Sequence, residues 1–204
     1  MRKERNMAIE RLKKIDPSKV ALVIIDMQND FVIEGAPVEC GEPGRATIPV
    51  IQKMKQWAYS KNVPVIYTQE CHRADLSDFG MEAEHEPPHT LEGTPGIEII
   101  NELKPTKDDY LVRKRRYSAF FQTDFDMLLR GLGKQVLVFC GVCTNICVYG
   151  SALDGLQMGY HSVILSDAVA GTSVKFHDLF LEHMEFLVGD VIDSKSFIDL
   201  YETL

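Results

Sequence analysis

Residues 20–25 read Val-Ala-Leu-Val-Ile-Ile, an unbroken apolar run that stops at Asp26. A strand with one wet face alternates polar and apolar side chains. A run without alternation predicts a strand covered on both faces, as in a parallel sheet flanked by helices. Similar runs lie near 63–68, 110–112, 136–140 and 162–166, with a weaker one near 186–192. Between them, helical spacing is predicted over roughly 46–61, 95–103, 122–132, 145–158 and 174–185. Gly133, Asn62-Val63-Pro64 and Gly159-Tyr160 mark turns between the two kinds of segment. Strands that alternate with helices build βαβ units. The expected fold is α/β: a three-layer αβα, doubly wound, mostly parallel sheet of Rossmann-like form.

The 204 residues are read as one domain, 1–204, with 1–17 as an N-terminal extension expected to form a short surface helix. Hydrophobic content of 45% and charged content of 25% are those of an ordinary soluble chain. A net charge of −8 argues against nucleic acid as a partner. No apolar run approaches the roughly 18 residues of a membrane span, so no membrane association is expected. Five cysteines make an odd count, and no signal peptide is recognised, so a reduced, cytoplasmic protein is expected.

Three segments carry candidate chemistry. Residues 136–150, Val-Leu-Val-Phe-Cys-Gly-Val-Cys-Thr-Asn-Ile-Cys-Val-Tyr-Gly, read as a strand, a small-residue turn and a helix with Cys147 near its first turn. Unpaired backbone N–H groups and the helix dipole there favour a thiolate, the nucleophilic form of cysteine. Cys147 reads otherwise as a small buried hydrophobe. Asp26 ends the first strand, at the edge where open α/β sheets bind ligands; with Gln28, Asn29 and Asp30 it also fits a simple turn. Residues 113–116, Arg-Lys-Arg-Arg, follow a short strand and precede aromatics. A lysine there can neutralise a thiolate or an anionic intermediate, although a charge run is ordinarily a solvated face. A long irregular stretch over 69–94 holds His72, His85, His89, Pro87 and Pro88 and is expected to form part of a site wall.

Five motifs, in order, resemble the isochorismatase-like cysteine hydrolases, a superfamily that includes N-carbamoylsarcosine amidase and nicotinamidase. They are Ile-Ile-Asp-Met-Gln-Asn-Asp-Phe at 24–31, Val-Pro-Val-Ile-Tyr-Thr at 63–68, Glu-Gly-Thr-Pro-Gly at 92–96, Lys-Arg-Arg-Tyr-Ser-Ala-Phe-Phe at 114–121 and Gly-Val-Cys-Thr-Asn-Ile-Cys-Val at 141–148. The resemblance implies a catalytic triad of Asp26, Lys114 and Cys147. It implies a non-proline cis peptide at Val142–Cys143, which would aim the N–H of Cys143, with that of Cys147, at an oxyanion. Asp26 is then the general base, and Lys114 lowers the thiol pKa and orients Asp26.

Phe31, Tyr117 and Phe120 are candidate pocket walls, with ordinary core packing as the other reading. Arg115 or Arg116 is a candidate for holding a substrate carboxylate. No metal or other cofactor is expected. The alternative is a divalent metal on Glu70, His72 and His89, in the place where nicotinamidase-like relatives hold one. Here the first ligand is Glu where those relatives have Asp. The implied activity is hydrolysis of a small amide, carbamoyl or ureido C–N bond with release of ammonia, in a homo-oligomer. An isochorismatase-type vinyl-ether hydrolase and a nicotinamidase with a loop-bound metal are the alternatives. A nucleotide-binding module lacks its glycine-rich motif, and a non-catalytic relative has no reason to keep all three triad residues.

Overall fold

A computed structural model describes residues 10–204. Its strands are β1 (Val20–Ile25), β2 (Val65–Glu70), β3 (Tyr110–Lys114), β4 (Val136–Val142), β5 (His161–Ala170) and β6 (Asp190–Ile192). They form one six-stranded sheet in the order β3-β2-β1-β4-β5-β6. Every neighbouring pair is parallel. The helices are α1 (Asn29–Val32), α2 (Gly41–Ala46), α3 (Ile48–Ser60), α4 (Phe125–Gly131), α5 (Tyr149–Gln157), α6 (Val174–Leu187) and α7 (Ser194–Tyr201).

All residues of β1, β2 and β4 are buried, which is why β1 and β4 read as continuous apolar runs, whereas β2 turns polar from Thr68 to Glu70, where it reaches the site. Successive side chains leave opposite faces of a strand. Val20, Leu22 and Ile24 therefore pack with Ile51, Met54 and Trp57 of α3 and Phe197 of α7. Ala21, Val23 and Ile25 join Phe125 and Leu129 of α4, Ala152 of α5 and Met184 of α6. Burying side chains of this size stabilises the fold by about 1.5–3 kcal/mol each. β1 has β2 on one side and β4 on the other, so the winding reverses between β1 and β4. A crevice opens there at the carboxyl ends of the strands.

The close approach of β4 to β1 needs Gly141. Its φ is +107°, and a Cβ on it would lie 2.1 Å from the carbonyl oxygen of Ile25. The pairing of β4 with β5 shifts register between Phe139 and Gly141, at the same level.

The expected helix over 95–103 is absent. Only single 3₁₀ turns form, at Pro95–Ile97 and Asn101–Leu103. The backbone groups are bonded elsewhere: the Gln28 amide donates to Ile97 O, Ile100 N donates to Met27 O, and Gln28 bridges Ile99. The helix expected over 145–158 is α5 preceded by a π-helical turn at Thr144–Val148. β5 runs on to Ala170, past the 162–166 expected, and β3 reaches Lys114. The N-terminal helix expected within 1–17 falls largely on residues 1–9, outside the described residues. Over 69–94 one 3₁₀ turn forms, Gly80–Glu84. Among the described residues no helix is long and apolar enough to cross a membrane.

Candidate active site

The carboxyl edge of the sheet brings the reactive groups together. Asp26 follows β1 in a left-handed conformation, φ 47°. Thr68 of β2 holds it: the Thr68 hydroxyl donates to Asp26 Oδ1 at 2.7 Å and accepts from Asp26 N at 3.1 Å. Gln28 clasps the end of β2, donating to Glu70 O and accepting from Glu70 N, both at 2.8 Å. Glu70 is paired in register with Lys114 of β3, so both side chains leave the same face of the sheet. Lys114 Nζ lies 2.7 Å from Asp26 Oδ2 and 2.5 Å from Glu70 Oε2. It also donates to Arg116 O at 3.1 Å and to Cys147 Sγ at 3.5 Å. Asp26 Oδ2, in this ion pair with Lys114, keeps a lone pair for another donor.

Cys147 sits inside the π-helical turn, in which Val148 N donates to Cys143 O. Single π turns of this kind recur at functional sites. The Val142–Cys143 peptide is cis. The Cys143 thiol lies 2.7 Å from that of Cys40, and all five cysteines are free. Asp26, Glu70 and Cys147 are buried and present ligand atoms within 4.8 Å of one another.

Electrostatics decide the resting state of this group. Burial raises the Asp26 pKa; Lys114 opposes the shift and the charge of Glu70 adds to it. Burial also works against ionised Glu70, but the charge of Lys114 and the imidazoles of His72 and His89 hold it well below the usual carboxylate range. Burial would lower Lys114, and the negative charges of Asp26, Cys147 and Glu70 more than reverse this, so it stays protonated. Burial pushes the Cys147 thiol well up; Lys114 opposes this, and the charges of Asp26 and Glu70 reinforce it.

The expected lowering of the thiol pKa by Lys114 is thus only one contribution, and the net direction is upward. Burial is the largest cause, and the charges of Asp26 and Glu70 add to it. One ammonium faces two carboxylates, so a thiolate would be a third anion beside a single cation. At rest Cys147 is a thiol, and attack through its sulfur would need a base to remove the proton.

Glu70 also reaches a second buried cluster, with His72, Glu82 and His89. His89 Nε2 meets Glu70 Oε1 at 3.0 Å, and its Nδ1 faces Pro87 O at 2.8 Å. Burial lowers the His89 pKa, but its contacts with Glu70 and Glu82 outweigh this and raise it to about 10. His72 Nε2 is 3.8 Å from Glu70 Oε1, too long for a hydrogen bond. Both ring nitrogens of His72 and Oε1 of Glu82 are buried without a hydrogen-bond partner. The residues suggested for a metal, Glu70, His72 and His89, are therefore together. Glu82 joins them, a residue with no distinctive sequence context.

A cleft of about 280 Å³ opens over Cys147. Phe31, Tyr117 and Cys143 line it, with Glu39, Glu86 and Ile146 among the further lining residues that sequence reasoning had not singled out. Phe120 is not among them. It packs on Phe125 and Tyr160, ring centroids 4.7 and 5.6 Å away, over the notch left by Gly155. Of its two readings, core packing holds. Arg115 and Arg116 do not line the cleft either. Arg115 is bonded to Asp78, Glu92 and Cys71 O, and Arg116 to Asp78 O. They pin the 69–94 segment, and neither guanidinium is part of the cleft wall. A larger groove, about 470 Å³, lies around Arg11, His161 and Asp190 at the opposite end of the sheet, away from these groups.

Residues 20–196 match the family model of the isochorismatase domain. The chain is 30% identical to ureidoacrylate amidohydrolase RutB of Acinetobacter baylyi, over 93% of this chain and 86% of that protein. The fold is similar to an isochorismatase-like hydrolase from Alkaliphilus metalliredigens, with a TM-score of 0.83 and 35% identity over 90% of this chain and 99% of that one. It is also similar to nicotinamidase/pyrazinamidase PncA from Bacillus subtilis, with a TM-score of 0.80 and 34% identity over 86% of this chain and 100% of that one.

Proposed function

The chain belongs to the isochorismatase family, and from that premise we propose that it is a cysteine amidohydrolase cleaving a C–N bond of a small amide, carbamoyl or ureido compound. The observation that carries this reading is the single ammonium of Lys114 in contact with Asp26, Glu70 and the Cys147 sulfur. The names of relatives that hydrolyse amides agree with it.

In this reading Asp26 takes the thiol proton as Cys147 Sγ attacks the carbonyl carbon. The raised pKa of Asp26 makes it a stronger base than an ordinary carboxylate. Lys114 offsets the charge passing from Asp26 to sulfur and then to the carbonyl oxygen. The N–H groups of Cys143 and Cys147 receive the oxyanion; one such donor is worth about 10²–10³ in rate. The tetrahedral intermediate collapses, Asp26 returns its proton to the departing nitrogen, and ammonia leaves from a primary amide. Water, deprotonated by Asp26, then attacks the thioester, releases the acid and restores the thiol.

The orphaned nitrogens of His72 and the unpartnered Oε1 of Glu82 support a second feature. Glu70, His72, Glu82 and His89 fit a divalent metal with mixed oxygen and imidazole ligands. Such an ion would supply a Lewis-acid point beside the cleft. Lys114 already holds Glu70 Oε2, which leaves Oε1 as the oxygen facing the histidines.

The test is ammonia release from a panel of small amides, carbamoyl compounds and ureides, with Cys147→Ala as the control. Ammonia from at least one compound, lost in the variant, is expected. Ammonia release undiminished in a folded Cys147→Ala protein would refute the nucleophile. Cleavage of an isochorismate-type enol ether, with no amide hydrolysed, would move the chain to vinyl-ether hydrolysis.

A further inference from the structure

The charges around the cleft say something about the substrate beyond its amide. Among the described residues no lysine or arginine lines the cleft, whereas Glu39, Glu70 and Glu86 do. The lysine and arginines nearby each make a bond to the protein, and His85 lies on the cleft wall. Lys114, beneath Cys147, is held by Asp26 and Glu70. Arg115 is held by Asp78 and Glu92. Arg116 is turned to Asp78 O. Arg45 donates to Glu39 Oε2 at 2.6 Å and to Val32 O at 3.3 Å.

Recognition of a carboxylate inside a cleft ordinarily uses a guanidinium or ammonium with free donors. Here the cation next to the cleft wall is taken up by a wall carboxylate. Glu39 is fixed in this position: Oε2 accepts from Arg45, and Oε1 accepts from Gly35 N at 3.1 Å. Both contacts, led by that with Arg45, hold its pKa below the usual value, so it is an anion at neutral pH.

We propose that this enzyme takes uncharged or cationic amides and discriminates against substrates bearing a separate carboxylate, and that Glu39, clasped to Arg45, is the residue that sets this preference. The proposal rests on the amidohydrolase reading above. Ureidoacrylate, an anion, is then among the poor substrates, despite the similarity to an enzyme named for it. Glu39 touches no reacting atom; it is a specificity residue. Its replacement by glutamine removes one negative charge from the wall and frees the donors of Arg45. Both changes act in the same direction on an anionic substrate.

The experiment uses matched pairs that differ in one charge: N-carbamoylglycine and its methyl ester, maleamate and its methyl ester, and 3-carbamoylbenzoate and benzamide. kcat/KM is measured for each with the wild-type chain, Glu39→Gln and Glu39→Asp. The wild type is expected to favour the uncharged member, and Glu39→Gln changes the wall by one unit charge, which at about 6 Å through an effective dielectric of about 40 is worth about tenfold. Glu39→Gln should shrink that ratio by about tenfold, chiefly through a lower KM for the anion, and Glu39→Asp should keep it. A purely structural role would lower both members together and leave the ratio unchanged, which would overturn the assignment to Glu39. Preference of the wild type for the carboxylate members would overturn the substrate class while leaving the amidohydrolase reading standing. No hydrolysis of any pair, nor of any amide in the wider panel, would remove that reading and this inference with it.

Discussion

Glu70 is predicted to hold back the nucleophile. Its Oε2 lies 3.8 Å from Cys147 Sγ, and both atoms are buried. Two unit charges at that separation repel by about 4 kcal/mol at an effective dielectric of about 20, and by about half that at 40. Glu70→Gln removes the charge but keeps an amide oxygen for Lys114. The thiolate population of Cys147 should therefore rise by a factor of about 30 to 1000 below its pKa. A less basic thiolate is also a weaker nucleophile, with a Brønsted slope of about 0.4–0.5, so about 5- to 50-fold remains as a gain in alkylation rate. The assay is iodoacetamide labelling at pH 7.5 of chelator-treated protein, followed at the Cys147 peptide by mass spectrometry. Reading that one peptide separates Cys147 from the other four cysteines. An unchanged or slower rate in a folded Glu70→Gln protein would refute the claim that the second carboxylate adds to the forces that hold Cys147 as a thiol.

Lys114→Met should destabilise the fold by about 3–5 kcal/mol at pH 8, because it strands two buried carboxylates. Without the cation, the folded-state pKa of Asp26, already raised, goes higher still, and that of Glu70 loses the charge that chiefly holds it down and rises. The loss should therefore be largest at high pH and shrink toward pH 5, as read by urea unfolding at both pH values. Gly141→Ala should cost more than about 3 kcal/mol, since φ is +107° and the new Cβ would lie 2.1 Å from Ile25 O; a near-normal melting temperature would contradict this. Cys143→Ala should remain active, because its backbone N–H survives the change; loss of turnover in a folded protein would count against that donor. Zn²⁺ or Mn²⁺ binding by calorimetry should release protons, because His89, with a pKa of about 10, must lose one to ligate. Glu82→Gln should weaken that binding at least tenfold, and equal affinity in wild type and variant would place the ion elsewhere.

The parts of this molecule that were legible in its sequence are those in which burial alone dictates residue type. β1 had to be apolar on both faces, so its end at Asp26 could be read, and the edge of the sheet with it. Cys147 stood out because a small-residue turn after an apolar strand is a recurring place for a nucleophile. The helix expected over 95–103 failed for a reason no local pattern contains: its carbonyl and N–H groups are bonded by Gln28 and Met27. Phe120 failed similarly. Its motif context points toward a pocket, but the notch at Gly155 turns the ring into the core.

Glu70 was legible as a candidate ligand but not as a neighbour of Cys147. That proximity follows from its register with Lys114, a property of two strands 44 residues apart in the chain. Its two oxygens face different groups, Oε2 toward Lys114 and Cys147, Oε1 toward His89 and His72. A proton or an ion gained by the histidine cluster therefore withdraws negative charge from the same carboxylate that repels the thiolate. Through this one side chain the chemistry of the 69–94 segment is coupled to Cys147. Loading that cluster should raise the reactivity of the thiol even though no cluster atom other than Glu70 touches it, and the labelling assay above, run with and without added Zn²⁺, measures that coupling directly.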